Sequence, residues 1–356
     1  MFLFDSTICS YELLAFLIYS PHHLRFLEEL IVVNILRAWR IMPLIIMITL
    51  LSTIPLQVYA QPKPRWNANT ATIEASGIVV QFFERKPQYR FWLPGENETA
   101  VYIVKFVKII EFLDSDNDNQ FDFRNERILA KAELDAHDQW NITAMVLEGP
   151  NNSTELRVIM QGYVAVITTA EGMMANEKAN VTFINHIYDK DVEVEGYVVK
   201  GGAELKIDVI ISNWPWHSND SKLALMTLFA GHFRGKKRTP TMHHERVRER
   251  NTHRVEMRDP ETNHVGVFTF RENVRIRSKN GSTYEMKVNA TDDFRPNSAI
   301  QYIVYPHFEG TLEHDPSILI KKEEESMVQR IFSSPYIWMG IILTIVVIGV
   351  IIVKRR

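Results

Sequence analysis

Residues 204–212 read ELKIDVIIS, and this stretch decides the fold class. Its apolar side chains stand at every second position, on one face of an extended chain: Leu205, Ile207, Val209 and Ile211. Lys206 and Asp208 fall on the opposite face. Alternation of this kind is typical of a β-strand that buries one face and exposes the other.

Most of the chain between residues 61 and 334 repeats this pattern. Segments rich in Val, Ile, Tyr and Phe, such as TELRVIMQGYVAVITT and VGVFTFRENVRIR, are separated by clusters of Gly, Pro, Asn and Asp. Helical periodicity is weak. Many short strands with regular turn signals predict an all-β fold, a large two-sheet β-sandwich. The polar stretch 171–178 is the best candidate for a joint between two halves of this body.

The C-terminus carries the clearest membrane signal. Residues 336–353 read YIWMGIILTIVVIGVIIV, contain no charge and, as a helix, would reach roughly 27 Å, enough to cross the hydrocarbon core of a bilayer. Three cations follow in 354–356, so the positive-inside rule predicts a cytoplasmic tail and an extracellular domain before it. We therefore expect a single transmembrane helix at 335–353, with a buried core helix as the alternative.

The N-terminus is consistent with export. Two arginines precede the apolar run of 41–60, which ends in a small residue suited to cleavage. This pattern predicts a signal peptide, with an uncleaved anchor as the alternative. Residues 1–40 mix apolar runs with charges and are interpreted as a non-native or cytoplasmic extension. The extracellular domain then spans 61–334.

Eight Asn-x-Ser/Thr sequons lie between the two apolar ends, where an exported domain would carry glycans. They begin at Asn97, Asn141, Asn151, Asn152, Asn180, Asn219, Asn280 and Asn289. Cys9 is the only cysteine and lies in the predicted extension, so the exported domain must rely on its apolar core instead of disulfides. The small net charge of −3 argues against a nucleic-acid binder.

Residues 112–123 read FLDSDNDNQFDF and crowd four aspartates between aromatic flanks. Calcium takes several oxygen ligands from a flexible loop. We expect its ligands at alternate positions of this loop: Asp114, Asp116, Asp118, Gln120 and Asp122. The loop is not an EF-hand, because Asn119 replaces the required Gly and Asn125 the required Glu, although Glu126 is adjacent. The alternative is a hydrated acidic turn.

Two further motifs could bind a ligand. In ISNWPWHSND, Trp214 and Trp216 flank a proline; exposed, they could stack on sugars or anchor a partner, and buried, they would plug the end of the sandwich. In YPHFEGTLEHDP, at 305–316, His307 and His314 stand among carboxylates. Imidazoles and carboxylates are both ligands of transition metals, so this segment could bind a metal. A polar hairpin with paired histidine and carboxylate is the alternative.

The segment 232–254 holds eight Lys or Arg residues and two Glu residues. We interpret it as a long exposed loop that could bind an anionic glycan, a cell-wall polymer or lipid headgroups, with a solvated charged face as the alternative. The sequence has no nucleophile elbow, no phosphate-binding loop, no dinucleotide fingerprint and no usable Cys nucleophile. A dispersed carboxylate pair on a β scaffold stays open.

The acidic DxDxD hairpin, the ISNWPW turn and the YPHFEGTLEHDPSI segment before a C-terminal anchor together resemble a group of archaeal cell-surface β proteins. The resemblance implies a secreted, membrane-anchored β-sandwich and no established activity. We expect a single-pass glycoprotein of the cell membrane with a structural, adhesive or binding role towards an envelope glycan, an anionic polymer or a surface protein. An exported hydrolase of glycans or peptides and an accessory subunit of a membrane complex are the alternatives.

Overall fold

A computed structural model confirms the all-β prediction. It describes residues 62–67, 70–96, 99–135, 140–168, 177–233, 236–238, 240–247, 251–258, 263–295 and 298–322. These residues belong to one compact unit and form two large antiparallel sheets and one two-stranded hairpin, with one short 3-10 turn at Pro150–Asn152. The predicted signal peptide, transmembrane helix and joint at 171–178 lie outside or largely outside the described residues.

The strands, in chain order, are β1 (Lys63–Asn67), β2 (Thr70–Glu74), β3 (Val79–Phe83), β4 (Lys86–Trp92), β5 (Ala100–Leu113), β6 (Arg127–Glu133), β7 (Trp140–Glu148), β8 (Thr154–Ala165), β9 (Ile167–Thr168), β10 (Lys178–Tyr188), β11 (Val192–Val194) and β12 (Tyr197–Val199). They continue with β13 (Glu204–Ser212), β14 (Ser221–Phe233), β15 (Lys236–Arg238), β16 (Thr241–Val247), β17 (Thr252–Arg258), β18 (His264–Arg271), β19 (Asn273–Arg277), β20 (Thr283–Lys287), β21 (Asn289–Arg295), β22 (Ser298–Tyr305), β23 (Thr311–His314) and β24 (Ser317–Lys322).

Each sheet has one main path of strands. Sheet A runs β1-β2-β3-β4-β5-β14-β22-β21, with β6, β9 and β15 attached at its side. Sheet B runs β16-β17-β18-β24-β13-β10-β8-β7, with β19, β20 and β23 attached. The hairpin of β11 and β12 pairs only with itself among the described strands. Within the described part of the chain, no helix has the length and apolarity that a bilayer span requires.

The inner faces of the two sheets share one apolar core. Phe106 of sheet A stacks on Phe183 of sheet B, with ring centroids 4.9 Å apart, and Phe268 of sheet B closes on the same ring at 6.3 Å. The alternation read from 204–212 holds in β13, because its four odd-numbered apolar side chains are buried in this core. Lys206 and Asp208 therefore lie on the outer face of sheet B.

The basic segment 232–254 is not a long loop. The described residues place it in the end of β14 and in β15, β16 and β17, and β16 pairs with β17 along its whole length. The reason lies in the side chains of β16, where the partly buried His244 follows Met242 on the face that packs on the core and takes a position that a hydrophobic residue would normally hold. His244 contacts Asp292 of sheet A and His253 of β17, so polar contacts replace apolar burial at this edge.

Candidate functional site

The acidic loop between β5 and β6 brings three of its predicted ligands together. Oxygen atoms of Asp114, Asp116 and Asp118 all lie within 4.8 Å of one another. The backbone reaches this shape through left-handed residues, among them Asn119 with φ of 60°, a conformation that Asn tolerates better than most residues. Two of the aspartates accept the N–H two residues further on: that of Asp118 donates to Asp116 Oδ1 at 3.3 Å, and that of Gln120 donates to Asp118 Oδ1 at 2.7 Å.

Asp122 lies outside the triad and accepts hydrogen bonds within the turn that follows it. Its two carboxylate oxygens accept bonds from the Arg124 N–H at 2.9 Å and from the Asn125 side-chain amide at 2.7 Å. Its backbone carbonyl accepts the N–H of Glu126 at 2.9 Å. Asp122 therefore shapes the turn that follows the triad, and Gln120 is an exposed residue between the two.

Asp114 is the buried member of the triad. Its side chain is 1% exposed, and Oδ2 accepts bonds from the Lys222 ammonium of β14 and from the Asn119 N–H at 3.0 Å. Burial disfavours ionisation, but these two donors outweigh it and hold the pKa of Asp114 below its usual range. Oδ1, also buried, has no hydrogen-bond partner among the described residues. A buried carboxylate oxygen with no partner is costly unless a cation or water reaches it.

Glu126 is a candidate ligand that the spacing analysis passed over. It is buried, and its Oε2 accepts the Ser115 N–H at 3.0 Å. Burial is the main cause that raises the pKa of Glu126, and the negative charges of the aspartate triad add to it against the Ser115 bond. The signal was present in the sequence: Glu126 is one residue past the position where an EF-hand loop carries its bidentate Glu.

The loop folds back onto the outer face of sheet A as a flap, which we define as residues 114–126. Phe121 anchors the flap on the sheet. Its ring centroid lies 4.8 Å from that of Phe112 of β5 and 4.8 Å from that of Tyr302 of β22. The Phe121 N–H also donates to Thr291 Oγ1 of β21 at 3.1 Å. These contacts form a second, smaller apolar cluster outside the main core. The triad therefore belongs to a loop that packs against sheet A, and it is not merely the tip of a hairpin.

The WPW turn is built around a buried carboxylate. Glu111 of β5 is 0% exposed and accepts four bonds: from Trp214 Nε1 at 3.1 Å, the His217 N–H at 2.8 Å, His217 Nδ1 at 2.8 Å and Ser221 Oγ at 2.7 Å. Because Ser221 donates to the acid and not to the histidine, this is not the relay of a catalytic triad. Trp214 is thus a structural anchor.

Trp216 and His307 pack against each other at the end of the sandwich. Their ring centroids are 4.1 Å apart, and Phe308 meets the indole edge at 5.3 Å. Trp216 is half-buried and packs on the main core. The arrangement corresponds to the alternative in which both tryptophans close the end of the body.

His314 is fully buried and satisfied. Its Nδ1 accepts the Tyr305 hydroxyl at 2.9 Å and its Nε2 donates to the Arg271 carbonyl at 3.0 Å, which fixes the neutral imidazole. Burial lowers the pKa of His314 to about 4. The 305–316 segment therefore does not gather its histidines into one site, because His307 stacks on Trp216 while His314 faces the inside of the sheet.

A cluster of charges that sequence reasoning missed lies on the outer face of sheet B. Lys206, with a side chain 8% exposed, contacts Asp208 and lies 3.4 Å from Asp315 Oδ1. His186 bridges the other oxygen of Asp208, at 3.0 Å, to Glu155, at 2.7 Å. The cluster lines a cleft of about 580 Å³ beside the β11–β12 hairpin. No local signal marks it, since its members come from three strands, β8, β10 and β13, and from the turn before β24.

The two aspartates of this cleft have opposite pKa shifts. Burial opposes ionisation of Asp208, yet His186 and Lys206 hold its pKa at about 2. Burial raises the pKa of Asp315 to about 6, helped by the charges of Asp208 and Glu195 and opposed by Lys206. Such a pair would suit a glycosidase, but the Lys206 ammonium contacts both carboxylates, so both are already paired with a cation.

The sequons are mostly at the surface. Asn141, Asn151, Asn152, Asn219 and Asn280 are exposed, Asn180 and Asn289 are partly buried, and Asn97 lies outside the described residues. Five exposed acceptor sites are what glycosylation of a folded domain would need.

No protein-family model matches the chain, and no curated protein matches its sequence. The resemblance to archaeal cell-surface β proteins therefore stays a prediction.

Proposed function

We propose that this chain is an exported, single-pass glycoprotein of the cell surface, whose β-sandwich is stiffened by a calcium ion bound at the base of the flap. Its role is structural or adhesive, towards an envelope glycan, an anionic polymer or another surface protein. The single observation that carries the calcium site is the convergence of three carboxylates, one of which, that of Asp114, has a buried Oδ1 with no partner among the described residues.

Charge balance supports a cation at this place. Four carboxylates, those of the triad and Glu126, lie near one another; burial is the main cause of the raised pKa of Glu126, and the negative charges of the triad add to it. Among the described residues that contact the triad, Lys222 is the one cation that pairs with it, and it reaches only Asp114. Oxygen-only ligands on a loop suit a hard cation, and calcium tolerates the irregular geometry better than magnesium.

Because the flap packs on sheet A, an ion bound in it would also stabilise that packing. With calcium bound, the loop base is fixed, so Phe121 stays in its apolar seat on sheet A. An exported domain without cysteine has no disulfide to hold such a closure. Calcium is plentiful outside cells, so this device fits the compartment that the chain ends predict.

The test is a calcium titration of the purified full-length protein in detergent, followed by calorimetry and thermal unfolding. We expect micromolar to millimolar affinity and a higher melting temperature with calcium. The double variant Asp116→Ala/Asp118→Ala should lose both effects, and Glu126→Gln should weaken binding. Glu193→Gln, an exposed carboxylate on the β11–β12 hairpin, serves as the matched control and should bind like the wild type. No heat and no stabilisation in the wild type would reject the calcium site.

Export is tested separately in the cells that make the protein. Surface labelling of intact cells with a membrane-impermeant amine reagent should modify the domain, and glycopeptide mass spectrometry should find glycans on exposed sequons such as Asn141 and Asn280. Labelling that appears only after lysis, together with unmodified sequons, would reject the extracellular assignment.

A further inference from the structure

The strand β7 is the least protected edge of the two sheets. The main paths end at four strands, β1 and β21 in sheet A and β16 and β7 in sheet B. Three of them carry charges or a proline, which discourage pairing with another chain: Pro64 and Arg65 of β1, Glu245 and Arg246 of β16, and Asp292 and Asp293 of β21. The strand β7 has neither a charge nor a proline from 140 to 147.

This edge is also long, regular and apolar. Its nine residues pair with β8 in one continuous register without a bulge. Among the described strands β8 is its only partner, so a row of backbone N–H and C=O groups faces away from the sheet. Met145 is 37% exposed and Val146 62% exposed. An edge with these properties is a template for the addition of a further strand.

Val146 shows which side of β7 is incomplete. Trp140, Ile142 and Ala144 pack on the main core, and alternation places Val146 on the same face. Val146 is nevertheless exposed, because no described strand lies beyond β7 to cover it. A partner strand with an apolar side chain opposite Val146 would complete the stripe.

A second copy of β7 supplies such a strand. In an antiparallel pair with its two-fold axis at Ala144, Ile142 of one copy lies opposite Val146 of the other on the core side. The one charged residue of the strand, Glu148, lies opposite Trp140, so no two like charges meet across the joint. The strand is therefore self-complementary, as a two-fold interface requires.

Asn141 places a glycan acceptor on this same edge. Its side chain is exposed and lies on the outer face of β7, and Thr143 completes its sequon. In the two-fold pair Asn141 lies opposite Leu147 of the other copy, about 4.8 Å away across one strand spacing. A bulky glycan on Asn141 would therefore collide with the partner strand, and it would protect β7 as charge and proline protect the other edges.

We propose that two copies of this chain pair along β7 when Asn141 is bare, and that a glycan on Asn141 keeps them apart. The pairing joins sheet B of both copies into one continuous antiparallel sheet. Because the interface is two-fold and uses the same strand on both sides, the assembly closes at the dimer. The pairing is independent of the proposed function, whereas its control by a glycan rests on the proposed export.

The first test is the mass of the full-length protein in detergent, produced without glycosylation and measured by size-exclusion chromatography with light scattering corrected for the detergent. We expect a dimer. Val146→Lys brings a charge into each half of the joint and should give a monomer. Val198→Lys, at an exposed valine of the β11–β12 hairpin, is the matched control and should stay dimeric. A monomeric wild type overturns the proposal, and so does a dimer that survives Val146→Lys, since another surface would then hold it.

Cysteine crosslinking tests the register of the pair. Cys9→Ser removes the only native thiol. In that background Ala144→Cys places two thiols on the two-fold axis, where opposite Cα atoms lie about 4.5–5.5 Å apart, within the range of a disulfide. Glu148→Cys is the control on the same face of the strand, because its two copies would lie roughly 26 Å apart. Mild oxidation should crosslink Ala144→Cys alone; no crosslink there, or equal crosslinking of both variants, overturns the pairing.

The glycan is tested on protein from cells that glycosylate it. The wild type should be monomeric with a glycan on Asn141, and Thr143→Ala, which destroys this sequon, should be dimeric. Asn280→Gln removes a sequon between β19 and β20 and should stay monomeric. A dimer with glycosylated Asn141 overturns the proposal, as does a bare Asn141 in a monomer. Protein without any glycan would contradict the proposed export and with it the control by a glycan, while the two preceding tests still decide the pairing.

Discussion

The outer faces of the two sheets differ in how far their buried carboxylates are paired with cations. On sheet A, the flap brings four carboxylates together with Lys222 as their paired cation, and Asp114 Oδ1 is left without a partner among the described residues. On sheet B, the cleft pairs its carboxylates with Lys206, His186 and nearby arginines. The comparison teaches that an unbalanced acidic cluster indicates an outside cation, whereas a balanced one stabilises the structure by itself.

The largest effect is expected at Lys206. Lys206→Met should lower the free energy of unfolding by about 3–5 kcal/mol, because Asp208 and Asp315 lose their shared buried partner. Urea unfolding measures the change. Lys200→Met is the matched control: its ion pair with Asp191 is exposed, so its effect should stay within about 0.5 kcal/mol. Equal effects of the two changes would remove the distinction between buried and exposed pairs.

The second-largest effect is expected at Phe121, whose ring packs the flap against sheet A. Phe121→Ala should cost about 3 kcal/mol of stability, since it empties a position packed between Phe112 and Tyr302. It should also weaken calcium binding, because the loop base is no longer held on the sheet. Phe123 is 66% exposed, so Phe123→Ala controls for the loss of an aromatic ring in the same loop. Matching losses for both would mean that the flap is not seated by Phe121.

The buried, neutral His314 makes the stability of the fold depend on pH, independently of the two charged faces. The pKa of His314 is about 4 in the folded protein, below the ordinary value of an unfolded histidine. The unfolded chain therefore binds the proton first, and stability falls as the pH drops from about 6.5 towards 4, by about 1.4 kcal/mol per pH unit. His314→Gln should flatten this part of a curve of unfolding free energy against pH. An unchanged slope would assign it to other groups, such as His253.

The smallest effect, and one of opposite sign, is expected at Lys222. Its ammonium competes with a cation for Asp114, so Lys222→Met should raise calcium affinity several-fold, by about 1 kcal/mol. In the absence of calcium the same change should lower the melting temperature, because the triad loses its paired cation. Calorimetry and thermal unfolding with and without calcium separate the two effects. A loss of calcium affinity would mean that Lys222 holds the loop open for the ion.

The sequence allowed the fold and one site to be predicted, for reasons that are local. Alternation in 204–212 identified both the buried face and the charged face of β13, and the spacing of Asp114, Asp116 and Asp118 was enough to predict their convergence. Both patterns lie within one strand or one loop. The seating of Phe121 on sheet A could not be read in this way, since its partners Phe112 and Tyr302 are brought to it by strand pairing.

The failures have the same origin. The strand β16 was missed because His244 and the exposed Arg246 take the place of apolar residues in its pattern, and their partners Asp292 and Glu272 are distant in sequence. The charged cleft was missed because Lys206 and Asp315 are 109 residues apart and meet only when β13 pairs with β23 and β24. Polar contacts across strands leave no periodic trace in a single sequence, whereas apolar faces do.

The pairing of β5 with β14 also constrains how the chain is made. The partners of this ladder are far apart, since Asp114 and Lys222 beside it are separated by 108 residues. The apolar strand β5 can pair with β4 and β6 early, but its other edge must wait until β14 leaves the ribosome. Such non-local ladders form slowly, and an unpaired apolar edge invites aggregation meanwhile. We therefore expect the newly made chain to depend on a holding chaperone until residues beyond 233 emerge.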